Sequence, residues 1–384
     1  MIFRPDAIVF SDGIRTGLEV CFSEGVIAEI RPWTSELREE SGYVLSPKFV
    51  NAHSHFEYYD LIGAIEGSGY WEWIAELTVR KAERDPAVVK KVIDKAARLN
   101  VQTGVWAVGE WSDWEGSDES LTNHGLQGCI FQELITFREW TSPADKLAAT
   151  QEKARRNKNT TFVTPHATYT VVPEIISALA ATGEPLSIHV SETQAENDFY
   201  LRGDGPIKAG YDAAGIDVQV PGTTAIGYLD KLGALGPDTQ LVHVCASDRD
   251  DLELLAQRGC SVAHCPRSNS ALGCPPAPIG EMLDQGIRVG LGMDSAASSG
   301  VIDMFAEMRE AVLISQGTSR RIGAHEAWAM AISTASLPNL ASNDIAVGTS
   351  PTVMLIRSKP DFPSLLRATP RDLRPIEQGT ENLS

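Results

Sequence analysis

Eight short apolar runs recur along the middle of the chain, and a helix-length segment separates most of them. We predict that these runs are strands, at Phe49–Ala52, Val105–Val108, Cys129–Phe131, Phe162–Thr164, Leu186–Ile188, Leu241–Val244, Ser261–Ala263 and Val289–Leu291. Strands that alternate with helices form parallel sheets. Eight successive units favour an α/β fold of the (β/α)8 TIM-barrel type, with an open eight-stranded sheet as the alternative.

Both ends of the chain have a different pattern. Near the N-terminus the apolar runs Ala7–Phe10, Leu18–Phe22 and Val26–Ile30 are separated by turn sequences, and Thr352–Ile356 is an isolated run near the C-terminus. Short strands joined by tight turns form antiparallel sheets. We therefore predict a small discontinuous β-sandwich domain from residues 1–47 and 342–384, and a catalytic barrel domain from residues 48–341.

Composition limits the classes of partner. Nucleic acids and anionic membranes bind basic surfaces. Because the formal net charge of this chain is −18, we expect neither of them as a partner. We expect no signal peptide, because the segment Met1–Asp6 shows no basic stretch followed by an apolar run. No apolar segment approaches the roughly 20 residues that span a bilayer. The six cysteines lack CxxC spacing, so we expect reduced thiols, a cytoplasmic protein and a small-molecule substrate.

Polar residues follow several of the predicted strands. His53 and His55 come after the first, His189 ends the fifth, His243 lies in the sixth, and Asp294 follows the eighth. A single histidine is more often a hydrogen-bonded core or surface residue than a ligand. These five, however, all fall at the barrel face where active sites are assembled. We predict that three imidazoles and the carboxylate bind one metal ion and leave a position for water.

Three segments resemble motifs of the amidohydrolase superfamily, and the resemblance covers nearly the whole chain. They are Pro47–His55 (PKFVNAHSH), His189–Glu192 (HVSE) and Gly292–Ser295 (GMDS). The resemblance implies one divalent ion held by His53, His55, His189 and Asp294, with zinc expected and iron as the alternative. The fourth-strand segment, residues 162–166, lacks the lysine of binuclear members, which indicates the mononuclear deaminase type.

The resemblance also implies a reaction. A metal ion lowers the pKa of its bound water to near 7, and the resulting hydroxide would attack C6 of an adenine ring and release ammonia. Glu192 would give a proton to the ring nitrogen, His243 would deprotonate or orient the water, and Asp294 would also pass a proton to ammonia. A structural alternative for Glu192 is a carboxylate at a helix N-terminus, because a helical stretch follows it.

Three further segments resemble deaminases of adenine nucleoside derivatives: Trp71–Ile74, Pro165–Thr170 and His264–Asn269. They imply that His166 lies over the substrate and that Glu72 holds the ribose hydroxyls. A capped core histidine and a solvated helix face are the structural alternatives for these two residues.

Two features favour aminodeoxyfutalosine as the substrate: Glu57 shortly after HxH, and the segment from Arg267 to Gly273. Arg267 or Arg138 would meet a substrate carboxylate. S-adenosylhomocysteine, methylthioadenosine or adenosine deamination is the alternative. Two alternatives are more distant. One is a chlorohydrolase or amidohydrolase that acts on another ring substrate, and the other is a metal-free binding or scaffold protein. Similar enzymes are often dimers or tetramers, so a homo-oligomer is an open expectation.

Overall fold

The computed structural model describes residues 1–65, 69–139, 142–374 and 376. Each of the eight apolar runs predicted for the middle of the chain forms a strand. The strands are β1 (Ile2–Phe3), β2 (Ala7–Phe10), β3 (Gly13–Thr16), β4 (Leu18–Ser23), β5 (Val26–Pro32), β6 (Tyr43–Pro47), β7 (Phe49–His55), β8 (Val105–Ser112), β9 (Gln127–Leu134), β10 (Thr161–Pro165), β11 (Leu186–Val190), β12 (Thr239–His243), β13 (Ser261–His264), β14 (Arg288–Leu291), β15 (Asp294–Ser295), β16 (Val353–Arg357) and β17 (Leu373–Arg374).

Helices follow most of these middle strands. They are α1 (Tyr70–Ala82), α2 (Pro86–Gln102), α3 (Ser117–His124), α4 (Pro143–Arg156), α5 (Pro173–Ala180), α6 (Gln194–Arg202), α7 (Pro206–Ala213), α8 (Ala225–Lys231), α9 (Arg249–Arg258), α10 (Pro266–Ala271), α11 (Ile279–Asp284), α12 (Ala296–Ser299), α13 (Met304–Ile314), α14 (Ala324–Ile332) and α15 (Phe362–Leu366). Capping residues fix several helix starts. The side chain of Asp248, for example, accepts from the backbone N–H of Asp251 at the start of α9.

The middle strands form two parallel sheets, one ordered β10-β9-β8-β7-β15 and the other β11-β12-β13-β14. Their edges contact each other on both sides. On one side the backbone N–H of His189 donates to the carbonyl oxygen of His166 at 3.0 Å. On the other, the N–H groups of Gly292 and Met293 donate to carbonyl oxygens of His264 and His53. The fold is therefore α/β with parallel sheets, as predicted.

The terminal segments form antiparallel and mixed sheets. A five-stranded sheet has the order β17-β16-β6-β2-β3, so it combines residues from both ends of the chain. A three-stranded sheet has the order β1-β4-β5. These sheets share a hydrophobic core that is separate from the main one. It includes Ile8, Val20, Ile27, Leu45 and Leu355. Residues 375 and 377–384 of the predicted range 342–384 lie outside the described residues.

Large side chains fill the space between the two parallel sheets. The rings of Trp111 on β8 and Phe131 on β9 lie 6.0 Å apart and are completely buried. The indole N–H of Trp111 donates to Oγ of Ser187 on β11 at 3.1 Å, which joins the two sheets. Burial of Phe131 alone contributes about 2 kcal/mol. Among the described residues, no helix has the length and apolarity to cross a membrane.

Glycine 128 on β9 shows how closely the strands approach. Its φ is +113°, and a Cβ at this position would lie 2.0 Å from the carbonyl oxygen of Val108 on the neighbouring strand. We expect Gly128→Ala to lower the free energy of unfolding by about 3 kcal/mol, since both the conformation and the contact oppose a side chain.

Gly125 is the matched control, because its φ is +68° and a Cβ there would meet nothing within 4 Å. Gly125→Ala should cost only about 1 kcal/mol, the strain of the left-handed conformation. Urea denaturation of both variants measures the difference. Equal losses of stability would contradict a steric role for Gly128.

Candidate metal centre and active site

Four predicted metal ligands converge at the C-terminal ends of the parallel strands. His53 and His55 lie on β7, His189 on β11 and Asp294 on β15. One donor atom from each lies within 4.8 Å of all the others. Nε2 of His53 is 3.2 Å from Nε2 of His189 and 3.4 Å from Oδ1 of Asp294, which is itself 3.6 Å from Nε2 of His55.

Two of the three imidazoles are neutral and able to bind a metal ion directly. Burial lowers the pKa of His53 to about 3 and that of His189 well below its usual value, so both rings are neutral. Nδ1 of His189 lies 2.9 Å from the carbonyl oxygen of His166 and donates to it, so Nε2 presents a lone pair.

Burial lowers the pKa of the third imidazole, His55, but Glu57 and Asp294 raise it to about 9, so this ring loses a proton when it binds a metal ion. Burial raises the pKa of Asp294, but the hydrogen bond from His53 and the nearby rings hold it well below its usual range. Neutral imidazoles and a carboxylate are the ligands that zinc prefers.

The backbone is strained at the same place. Ser191, His243, Val244 and Asp294 have φ values of +50°, +75°, +52° and +55°. These are four of the six non-glycine residues with positive φ in the described part of the chain. Such conformations cost roughly 1–3 kcal/mol each and are found most often at functional sites. They turn the chain sharply just after β11, β12 and β14, where the candidate ligands and catalytic residues lie.

Glu192 lies beside the cluster and is only 6% exposed. Its Oε2 accepts from the hydroxyl of Tyr70 at 2.5 Å and lies 3.6 Å from Nε2 of His243. Burial and the charge of Asp294 raise the pKa of Glu192 to about 8. A carboxyl group with this pKa carries a proton at neutral pH and is able to donate it.

The alternative considered for Glu192 was a structural carboxylate at a helix N-terminus. A different residue has that role. The carboxylate of Glu196, in the first turn of α6, accepts from the backbone N–H groups of Ser191 at 2.8 Å and Glu192 at 2.7 Å. Glu196 therefore provides the acidic cap at this helix N-terminus. The side chain of Glu192 is left to face Tyr70 and His243.

Helix α10 supplies two residues that sequence reasoning missed. The amide nitrogen of Asn269 lies 2.9 Å from Nδ1 of His243, and the hydroxyl of Ser268 donates to Oδ2 of Asp294 at 2.6 Å. Both belong to the segment His264–Asn269, which was singled out only for its resemblance. Their hydrogen-bonding side chains were the available signal.

Two of the predicted substrate contacts lie close to the cluster. The ring of His166 is 4.8 Å from that of His189, centroid to centroid, and its Nδ1 is 3.0 Å from Oγ1 of Thr170. Glu57 is fully buried, with Oε1 3.8 Å from Nδ1 of His55.

Three further residues were predicted to contact the substrate. Glu72 is on the exposed face of α1, and its contact with ribose stays a prediction. The guanidinium of Arg267 donates to the carbonyl oxygen of Val301 at 2.8 Å and is 3.5 Å from Glu307. Arg138 is exposed after β9. These partners account for Arg267 without a substrate.

Further polar residues near the site were not predicted. Lys81 on α1 places Nζ 2.9 Å from Asp113 and 3.4 Å from Glu133. Oε1 of Glu133 is 3.7 Å from Nε2 of His166. Tyr70, which contacts Glu192, directly precedes Trp71–Ile74, one of the segments that resemble deaminases of adenine nucleoside derivatives.

Residues 44–340 match the family described as the amidohydrolase family. Aminodeoxyfutalosine deaminase of Deinococcus radiodurans is 29% identical over 317 residues, covering 76% of this chain and 73% of the relative. The 5-methylthioadenosine/S-adenosylhomocysteine deaminase of Pelotomaculum thermopropionicum is 28% identical over 321 residues, covering 77% and 68%. A crystal structure of an adenosine deaminase from Xanthomonas campestris with bound zinc superposes with a TM-score of 0.79 at 21% identity, covering 97% of this chain and 90% of that one.

The metal centre is tested by removing one ligand. We expect His55→Ala to lower zinc affinity by at least about a hundredfold, because even the loss of a residue that only orients a ligand costs 10–100-fold. The zinc content after dialysis against a chelator, measured by elemental analysis, checks this.

His124→Ala is the control, since that histidine pairs with Asp94 on the surface away from the cluster. It should keep the zinc content of the wild type. Full zinc occupancy in a folded His55→Ala variant would remove His55 from the ligand set.

Proposed function

The chain belongs to the amidohydrolase family, and from that premise we propose that it is a metal-dependent deaminase of an adenine nucleoside derivative. One observation carries the proposal. A buried carboxyl group whose pKa is raised to about 8, Glu192, lies beside a cluster of three imidazoles and a carboxylate. Hydrolytic removal of an amino group from an aromatic ring needs both an activated water and a proton donor to the ring nitrogen.

The proposed scaffold is a closed (β/α)8 barrel. The contacts at both edges of the two parallel sheets support closure. We assign the barrel to residues 48–341, and a small discontinuous β domain to residues 1–47 and 342–384. The sheet in which β16 pairs with β6 supports this division. Such a barrel assembles its active site at the C-terminal ends of the strands.

Zinc fits the cluster best among divalent ions, because imidazole nitrogens and a carboxylate are its usual ligands, and iron is the alternative. When bound, such an ion supplies an activated water at neutral pH. His53, His55, His189 and Asp294 would hold it. The hydrogen bond from His189 to the carbonyl oxygen of His166 fixes the ring orientation that this requires.

The remaining steps belong to protein groups. Glu192 donates its proton to the ring nitrogen next to the attacked carbon, and the hydroxyl of Tyr70 holds the carboxyl group in place. The amide nitrogen of Asn269 beside Nδ1 of His243 leaves the ring proton on Nε2, so His243 orients the attacking water by donating to it. Asp294, a carboxylate with no proton of its own, would take the remaining proton of the added water and pass it to the departing amino group, so that ammonia leaves and an oxo group remains. The other proton of the water replaces the one that Glu192 gives to the ring nitrogen.

We propose aminodeoxyfutalosine as the substrate. The 29% identical aminodeoxyfutalosine deaminase and the position of Glu57 directly after His55 and Phe56 support this choice. Methylthioadenosine, S-adenosylhomocysteine or adenosine is the alternative, because a deaminase of the first two is 28% identical. Chloride leaves a ring as an anion, whereas an amino group needs a further proton to leave, so the proton-carrying Glu192 favours a deaminase over a chlorohydrolase.

The role of Glu192 is tested by Glu192→Gln. The amide is nearly isosteric but carries no transferable proton, so we expect zinc to be retained and kcat to fall by about 100-fold to 10,000-fold. Ammonia release and zinc content, measured on the same preparation, check both halves. Glu76→Gln, an exposed change on α1, should keep kcat, and near-wild-type turnover by Glu192→Gln would exclude the role.

The substrate is tested by a panel. We expect the zinc-loaded wild type to release ammonia from aminodeoxyfutalosine with the highest kcat/KM among aminodeoxyfutalosine, S-adenosylhomocysteine, methylthioadenosine, adenosine, guanine and cytosine. A preference for methylthioadenosine or S-adenosylhomocysteine would select the alternative. No turnover of any adenine derivative by zinc-loaded protein would contradict the proposed function.

A further inference from the structure

Glu133 points toward the proposed active site from the end of β9. Side chains on one face of a strand recur at every second residue, and Phe131, two residues earlier, packs against Trp111 in the interior. Glu133 therefore lies on the interior face, at the C-terminal end where the candidate ligands converge. Only 6% of the residue is exposed.

A buried carboxylate in this position is charged. Burial raises the pKa of Glu133, but Lys81, His166 and His55 outweigh this effect and lower it to about 2. Lys81 lies 3.4 Å away and is fixed from its other side by Asp113 at 2.9 Å. An ionised carboxylate accepts hydrogen bonds and donates none.

One oxygen of Glu133 has capacity for another hydrogen bond. Lys81 donates to Oε2, whereas Oε1 lies 3.7 Å from Nε2 of His166, beyond hydrogen-bond distance. The His166 ring in turn is 4.8 Å from that of His189 in the metal cluster. Oε1 of Glu133 is thus separated from the cluster by a single imidazole.

The chemistry of the substrate class limits what this oxygen binds. An adenine nucleoside has two kinds of hydrogen-bond donor, the exocyclic amino group and the sugar hydroxyls. The amino group leaves at the metal centre, so the hydroxyls are the donors that remain at a distance from it. We propose that Glu133, held ionised and in place by Lys81, accepts a hydrogen bond from a sugar hydroxyl and so makes the enzyme specific for ribonucleosides.

This inference rests on the proposed deaminase function and adds a specificity-determining residue to it. It assigns to Glu133 the sugar contact that the sequence resemblance placed on Glu72, which is exposed on α1. The two carboxylates differ in burial and in partners. Substitution of each one separately therefore tests the assignment.

The experiment compares adenosine with 2′,3′-dideoxyadenosine as substrates of zinc-loaded wild type and Glu133→Gln. A hydrogen bond to a charged group changes affinity by about tenfold to a hundredfold, so the wild type should favour adenosine by that factor in kcat/KM. Glu133→Gln should raise KM for adenosine and bring its kcat/KM to within about threefold of the value for dideoxyadenosine. The value for dideoxyadenosine should stay as in the wild type.

Asp113→Asn is the matched control, because it removes the other carboxylate on Lys81 without altering the one that faces His166. It and Glu72→Gln should keep the wild-type preference for adenosine. Equal losses on both nucleosides in Glu133→Gln would overturn the inference and leave Glu133 a residue that positions His166.

A wild type that uses dideoxyadenosine as efficiently as adenosine would also overturn the inference, whether or not the variant folds. Failure of the proposed function gives a different result. In that case zinc-loaded wild type would release ammonia from neither adenosine nor dideoxyadenosine.

Discussion

Three imidazoles and a carboxylate are brought within 4.8 Å of one another in a buried position, and much of the surrounding structure serves to hold them there. Burial of polar and ionisable side chains costs free energy unless a cation and hydrogen bonds compensate for the lost water. The carbonyl oxygen of His166 and the hydroxyl of Ser268 supply hydrogen bonds to His189 and Asp294. The positive φ angles at His243 and Asp294 are conformations that the packed strand ends impose at the same place.

The sequence was sufficient for the strands and for the cluster of candidate metal ligands because both depend on local patterns. Short apolar runs that alternate with helix-length segments predict parallel strands, and HxH places two rings on the same strand face. Parallel strands then bring their C-terminal ends together. These patterns together predict the cluster of His53, His55, His189 and Asp294.

The residues that the sequence did not resolve depend on helix phase or on distant partners. Glu72 and Tyr70 are two positions apart on α1, and only the orientation of the helix decides that Tyr70 faces Glu192 while Glu72 is exposed. Arg267 or Arg138 was expected to meet a substrate carboxylate, and that contact stays a prediction; the pairing of Arg267 with Glu307, on a separate helix, is what the sequence did not indicate. The environment of Glu133 is set by Lys81 and His166, which lie on other elements, so the sequence around Glu133 does not predict it.

Helix α1 contacts residues of the proposed site near both of its ends. Trp73 is its buried residue, and Trp71, Ile74 and Leu77 are partly buried and pack against apolar neighbours. Its first residue, Tyr70, bonds Glu192, and Lys81 near its end pairs with Asp113 and Glu133. The helix therefore couples two carboxyl groups of opposite kind, one protonated by burial and one kept ionised by a lysine. A substrate bound between them would meet a proton donor toward the metal cluster and a hydrogen-bond acceptor away from it, which is the polarity that an aminated ring carrying a hydroxylated sugar requires.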